Sequence, residues 1–170
     1  CRRGVSSNPV RRCLGDGSWM HACVDAKRLK KFSDTEFLVY NRSGAPWPIS
    51  DRDVVVRSKA KIDRENQVLT ITMRSTESKL MPPTKDVVRM PRLNGHYIFS
   101  EASKGKTQIE YQIDADPGGL IPAWLAEMAS RDIPLKTLVN LRNRVKKTAQ
   151  AGTYKKYIDS VAYLRESDTK

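Results

Sequence analysis

Between Thr35 and Ala115 the chain falls into runs in which apolar residues recur at every second position, broken by Ser43–Pro48 and the polar loop Ser75–Thr84, and that period restricts most of the span to sheet. The cleanest stretch is Thr107–Ala115, where Thr107, Ile109, Tyr111, Ile113 and Ala115 alternate with Gln108, Glu110, Gln112 and Asp114. Asp53–Ile62 behaves alike: Val54, Val56, Ser58, Ala60 and Ile62 share one face, and Asp53, Val55, Arg57, Lys59 and Lys61 share the other. Such a strand has one dry and one wet side. Upstream, Phe37, Val39 and Asn41 alternate with Leu38, Tyr40 and Arg42 until Ser43–Pro48 (SGAPWP) ends the ladder, because a glycine and two prolines cannot continue it. Asp63–Asn66 turns the chain, and Gln67–Arg74 returns with Leu69, Ile71 and Met73 opposite Val68, Thr70 and Thr72, a hairpin. Val87–Leu93 and Gly95–Ala102 read as further strands, and Lys104–Lys106 as the turn before the last one. Ahead of all these, Cys1–Gly17 supplies one short strand at most, and Ser18–Phe32 is mixed.

After Pro117–Gly119 the pattern becomes helical. Ile121–Arg131 reads as a short helix and Asp132–Lys147 as a second one, with Asp132 as its cap and Pro134 tolerated in its first turn. Leu135, Leu138, Val139, Leu141 and Val145 fall on one broad side of it; Lys136, Thr137, Asn140, Asn143, Arg144 and Lys147 fall on the other. Arg142 is the anomaly, projecting near the middle of the apolar side. Tyr154–Leu164 adds an amphipathic turn or two. Strands joined by short turns and followed by helices predict an α+β fold with an antiparallel sheet. The simplest packing curves that sheet around the final helix.

The chain's 170 residues suit a single domain over 1–170. With 39% hydrophobic and 29% charged residues it reads as globular and soluble, and no apolar run reaches the length of a membrane span. The net charge of +12 admits nucleic acid, an anionic membrane surface or an acidic ligand as partner, or simple solubility. The charge is spread along the chain with few aromatics interleaved, which argues against a nucleic-acid arm. Cys1, Cys13 and Cys23 lack the spacing of a zinc site or a disulfide framework and read as free thiols. Catalytic constellations are thin. His21 and His96 stand far apart; Asp51 and Asp53 flank Arg52 as a local ion pair at a strand entrance; Asp114 and Asp116 form a turn-side pair. Neither a phosphate loop nor metal-ligand spacing is present, so no cofactor and no metal are expected. The inward sheet face (Val39, Val56, Ser58, Ile71, Met73, Tyr111, Ile113) is apolar with sparse hydroxyls. That composition suits a small-molecule pocket and equally a filled core.

Three blocks carry a family resemblance: APWPISDRDVVV (Ala45–Val56), VRMPRLNGHYIF (Val88–Phe99) with KTQIEYQIDADPGGLIPAWL (Lys106–Leu125), and the helix Ile133–Val145. Their order and spacing resemble the StAR-related lipid-transfer (START) family from about Trp19 to Lys147. The resemblance implies the helix-grip fold, a curved antiparallel sheet gripping a long C-terminal helix around an apolar cavity. It further implies binding of a lipid or other apolar ligand. We expect transfer without chemistry, with the final helix as lid and its outer Lys136, Arg144 and Lys147 drawn to an anionic membrane surface. The spread of charge leads us to expect no nucleic-acid partner. Ile98, Trp124, Leu138, Leu141 and Arg142 complete the expected lipid-binding lining. A cyclase- or aromatase-like enzyme of related fold is the alternative. Family members usually carry a strand and helices before the Trp19 region, and here Gly17 runs directly into Ser18, as though residues were missing between them. A buried arginine and its acidic partner in some members fall on Ser58 and Val39, so both halves of that pair are absent. Arg142 matches a basic position in the family's last helix. Buried, it needs an acidic side chain, helix-end carbonyls or a ligand anion as partner; otherwise it snorkels to the helix edge.

Overall fold

The computed structural model describes residues 19–152. These form seven strands and one helix: β1 (Cys23–Ser33), β2 (Glu36–Ser43), β3 (Asp51–Asp63), β4 (Val68–Ser75), β5 (Val87–Arg89), β6 (Arg92–Ser103), β7 (Lys106–Asp116) and α1 (Ala123–Gln150). Cys1–Gly17 and Tyr154–Leu164 lie outside the described residues. The strands make one curved sheet in the order β1-β2-β3-β4-β6-β7, every neighbour antiparallel. The exception is β5, which pairs parallel with Asp51–Asp53 at the start of β3. From Val56 onward the same edge of β3 is taken over by β4. The sheet therefore splits at β3, and both branches depend on that strand.

Four details differ from the sequence pattern, each for a physical reason. β1 is a full strand, but three register irregularities, at Cys23/Asp25, Arg28/Lys30 and Lys31/Ser33, scramble the alternation that would reveal it. The expected strand Val87–Leu93 is interrupted: Met90 N donates to Asp53 O (2.8 Å), Pro91 has no amide to offer, and β6 starts afresh at Arg92. The two expected helices are a single 28-residue helix that runs through Pro134. Asp132 is not a cap but bonds Lys136 one turn on (2.8 Å). Cys23 is disulfide-bonded, which corrects the free-thiol reading for that residue.

Cross-strand register sorts the side chains onto two sides. On the outer side Leu38, Tyr40 and Val55 form a buried cluster, and Leu29 and Met81 pack against it. Met81 belongs to the segment between β4 and β5, which folds back across this side. Beneath it Asp53 is fully enclosed; Arg89 grips its carboxylate with Nε (2.6 Å) and Nη2 (3.1 Å) and also donates to Met81 O (3.1 Å). The inner side carries Arg52, Val54 and Val56 and looks toward α1: Arg52 Nη2 reaches Gly118 O (3.3 Å) just ahead of the helix. Further along, the buried Thr137 accepts a hydrogen bond from His21 N (3.1 Å).

Removing one partner of a buried pair strands the other charge. Asp53→Ala is expected to cost about 3 kcal/mol in urea unfolding, and adding Arg89→Met should recover most of that loss. A single Asp53→Ala as stable as wild type would show that the pair does not hold β5.

Candidate functional site

The register brings seven of the expected lining residues together. Val39 lies opposite Val56; Ser58, Met73, Gly95 and Ile113 form one cross-strand row; Ala60, Ile71, Tyr97 and Tyr111 form the next. Val56 is buried, and the other six (Val39, Ser58, Ile71, Met73, Tyr111, Ile113) remain half-buried. Gly95 is required in its row, because a Cβ there would meet the Gln112 carbonyl oxygen at 2.6 Å.

Ile98 does not belong with them. It sits between Thr70 and Glu110 on the outer side, and Tyr97 takes the inner place. The cause is a register shift near the β6–β7 turn: Ser103 pairs with Lys106, but Glu101 pairs with Thr107, so one extra residue is absorbed in β6. A one-residue slip moves every side chain beyond it to the opposite side. A tight turn read without that bulge puts Ile98 opposite Tyr111; with it, Tyr97 stands there.

Tyr97 is the centre of an aromatic group that periodicity alone does not reveal. Its ring stacks on Tyr111 at 4.2 Å and 2°, on Phe99 at 6.1 Å and 25°, and takes Trp19 edge-on at 6.4 Å and 68°. Burial pushes both the Tyr97 and Tyr111 hydroxyls above their ordinary pKa, so the inner side presents neutral phenols. On the outer side burial, reinforced by the charge of Asp53, pushes Tyr40 up to about 12.

The helix contributes less than its sequence promised. Leu138 and Leu141 are half-buried, but α1 is rotated so that Thr137 faces inward while Leu135, Val139 and Val145 are exposed. Trp124 is 61% exposed and Arg142 is exposed, so neither lines the inner side. Eighteen residues apart, these two project from the same face of α1, about five turns from each other. Nor is the strand entrance a local ion pair. Asp51 bonds Arg42 (2.7 Å) and Ala45 N (3.1 Å), Asp53 holds Arg89, and Arg52 donates to two backbone carbonyls, Ser50 O and Gly118 O. Asp114 pairs with Arg92 (3.1 Å), and Asp116 receives Gly118 N (2.9 Å), closing the turn that precedes α1. Two grooves open elsewhere. One of about 820 Å³ lies where the sheet splits, between Val54, Ser75, Lys79, Arg89 and Pro91; the other, about 380 Å³, lies along Thr70, His96 and Gln112. Among the described residues no three His, Cys, Asp or Glu side chains converge as metal ligands.

The START domain model matches residues 4–151. This chain belongs to the START domain family. An uncharacterized protein of Pseudomonas aeruginosa is 33% identical over 133 residues, covering 78% of this chain and 64% of that protein. Bovine phosphatidylcholine transfer protein is 34% identical over 119 residues, covering 66% of this chain and 55% of its own length. The chain thus spans between half and two thirds of these relatives. Among solved structures, a STAR-related lipid transfer protein fragment from Xanthomonas axonopodis superposes with a TM-score of 0.65 at 30% identity, covering 75% of this chain and 70% of that one. Human STARD10 superposes with a TM-score of 0.70 at 19% identity over 79% of this chain and 54% of its own, a likeness of fold. The helix-grip architecture of the START family is therefore the fold of this chain.

The raised hydroxyl of Tyr40 links this START sheet to pH. An unfolded tyrosine releases its proton near pH 10, whereas folded Tyr40 holds its proton to about 12. The unfolded state therefore binds fewer protons in that window, and stability falls as pH rises through it. Tyr40→Phe should make the fall shallower when unfolding is followed at a series of alkaline pH values. An unchanged slope would remove Tyr40 as the cause.

Proposed function

We propose that the chain is a single carrier domain that holds one lipid or other apolar molecule between the inner side of its sheet and α1, and transfers it without chemistry. The observation that carries this reading is the half-buried row structure of the inner side. Ile71, Met73, Tyr111 and Ile113, all strand residues on one side, are neither solvated nor fully enclosed. The names of the relatives, a phosphatidylcholine transfer protein and a STAR-related lipid transfer protein, supply the ligand class. The proposed lining is Val39, Val56, Ser58, Ile71, Met73, Tyr111 and Ile113, joined by Tyr97 in place of Ile98, with Leu138 and Leu141 from α1. The enzyme alternative needs an acid–base pair beside the cargo. Its only histidine–carboxylate pair among the described residues, His96 with Glu110, lies on the outer side of the sheet.

In this reading α1 is the lid. It pivots at Gly118 and Gly119, both in the left-handed region (φ +64° and +66°), with Arg52 pinning the Gly118 carbonyl. The tips that meet a bilayer are Trp47 (92% exposed), Leu120 (98% exposed) and Trp124. Arg142 belongs to this membrane-facing surface rather than to the cargo. Exposed Lys136 and Lys147 add about 1 kcal/mol each near anionic lipid.

Native mass spectrometry of the purified chain is expected to show one bound lipid per protein. Ile71→Trp should fill the space and lower uptake of a fluorescent phospholipid severalfold while circular dichroism stays unchanged. A wild-type protein that is always empty and takes up neither fluorescent phospholipid nor sterol would contradict the proposal.

A further inference from the structure

The outer side of the sheet is divided by charge. Over β3 and β4 stand Arg57, Lys59, Lys61 and Arg74, all exposed, with Lys30 beside them on β1. The carboxylates near them are occupied: Glu36 is bonded by Arg57, and Asp63 by Asn66. Over β6 and β7 the same side turns neutral to acidic, with Gln108, Glu110, Gln112 and Asp114. Arg57 and Arg74 lie directly opposite each other in register. Like charges in that position destabilise a sheet; Glu36 and the Phe32 ring offset the charge of Arg57, and among the described residues no ion pair offsets that of Arg74.

Lys59 and Arg74 make no ion pair among the described residues, and Lys61 has only the solvent-exposed Asp63 near it, whose carboxylate already accepts from Asn66. With strands about 4.8 Å apart and alternate residues about 6.7 Å apart, they form a closely spaced cationic array. At its edge Phe32 is 44% exposed, its ring flanked by Arg57 (4.8 Å) and Lys30 (5.0 Å).

We propose that this outer side of β3 and β4 is a docking surface for an anionic lipid bilayer, separate from the α1 face. A bilayer presents a broad negative potential that rewards each nearby Lys or Arg without requiring a pocket, and a closely spaced array of exposed cations matches it. Phe32 is placed to enter the interfacial layer. Single-stranded nucleic acid fits less well, because it needs several free aromatic platforms and the one exposed ring here is already flanked by cations. An acidic protein partner would need an apolar centre to the patch, and the centre is Lys59 and Thr72. Because the inner side and α1 face the other way, docking here tethers the chain to one bilayer and leaves the α1 face free to meet a second.

The test uses the full chain and co-sedimentation with phosphatidylcholine vesicles, with and without phosphatidylserine, at low and high salt. Docking is read without cargo, so its outcome is independent of whether a lipid is bound inside. Wild type is expected to bind only the phosphatidylserine vesicles, and only at low salt. Neutralising Lys59, Lys61 and Arg74 together to Gln should weaken that binding roughly 100-fold, with lipid content by native mass spectrometry unchanged. Lys136→Gln with Lys147→Gln removes two cations from the α1 face and should weaken it less, by no more than about 30-fold. The proposal is overturned if the triple variant binds like wild type, if the helix pair accounts for the whole effect, or if wild type ignores phosphatidylserine. It is equally overturned if the triple variant loses affinity for a single-stranded RNA or a polyglutamate but not for vesicles.

Discussion

Three consecutive residues, Asp51, Arg52 and Asp53, hold the molecule together by pointing in alternate directions from the first turn of β3. Asp51 fixes the loop after β2 through Arg42 and Ala45 N. Asp53 fixes β5 through Arg89. Arg52, between them on the opposite side, fixes the turn that launches α1 through Gly118 O. The alternation of a strand makes this division automatic. What it demands is that both aspartates find cations elsewhere in the chain, and they do. Arg52 is the strained member: it is buried, and its Nε has no partner. A buried guanidinium held by two carbonyls costs more than a neutral residue would. Its position is explained by what it tethers rather than by stability.

The strands were legible where alternation is undisturbed, as in β2, β3, β4 and β7, because a sheet side that meets an apolar environment selects its residues directly. Legibility fails at bulges. Three of them scramble the alternation of β1, and a single extra residue in β6 puts Tyr97 rather than Ile98 at the centre of the inner side. The family resemblance gave the architecture correctly, since the two-part pattern of sheet and helix is carried by many residues at once. The position of Arg142 was not legible, because helical periodicity defines a face but not the direction in which tertiary packing turns it. α1 is turned so that Thr137 is inside and Leu135 outside.

That rotation changes what the helix is for. A helix that buried all its apolar side against the sheet would seal the core and resist opening. Here α1 is attached through Leu125, Thr137 and the Gly118 turn, and it leaves Trp124, Leu135 and Val139 outside. An element held at few points opens more readily than one packed along its length. Together with the aromatic group at Tyr97, this loose attachment is what the proposed carrier, with α1 as its lid, rests on.

In the proposed carrier the guest lies against the inner side of the sheet, beside Tyr97. Trp19 reports on that place directly, since its ring meets Tyr97 edge-on. In a chain carrying Trp47→Phe and Trp124→Phe, Trp19 is the only tryptophan left, and its fluorescence can be titrated with a phospholipid carrying a doxyl quencher on its acyl chain. Quenching is expected to saturate at one lipid per protein and to be reversed by unlabelled phospholipid. Unquenched Trp19 under conditions where Trp47 and Trp124 of the wild type are quenched would place lipid only on the surface and contradict the proposal.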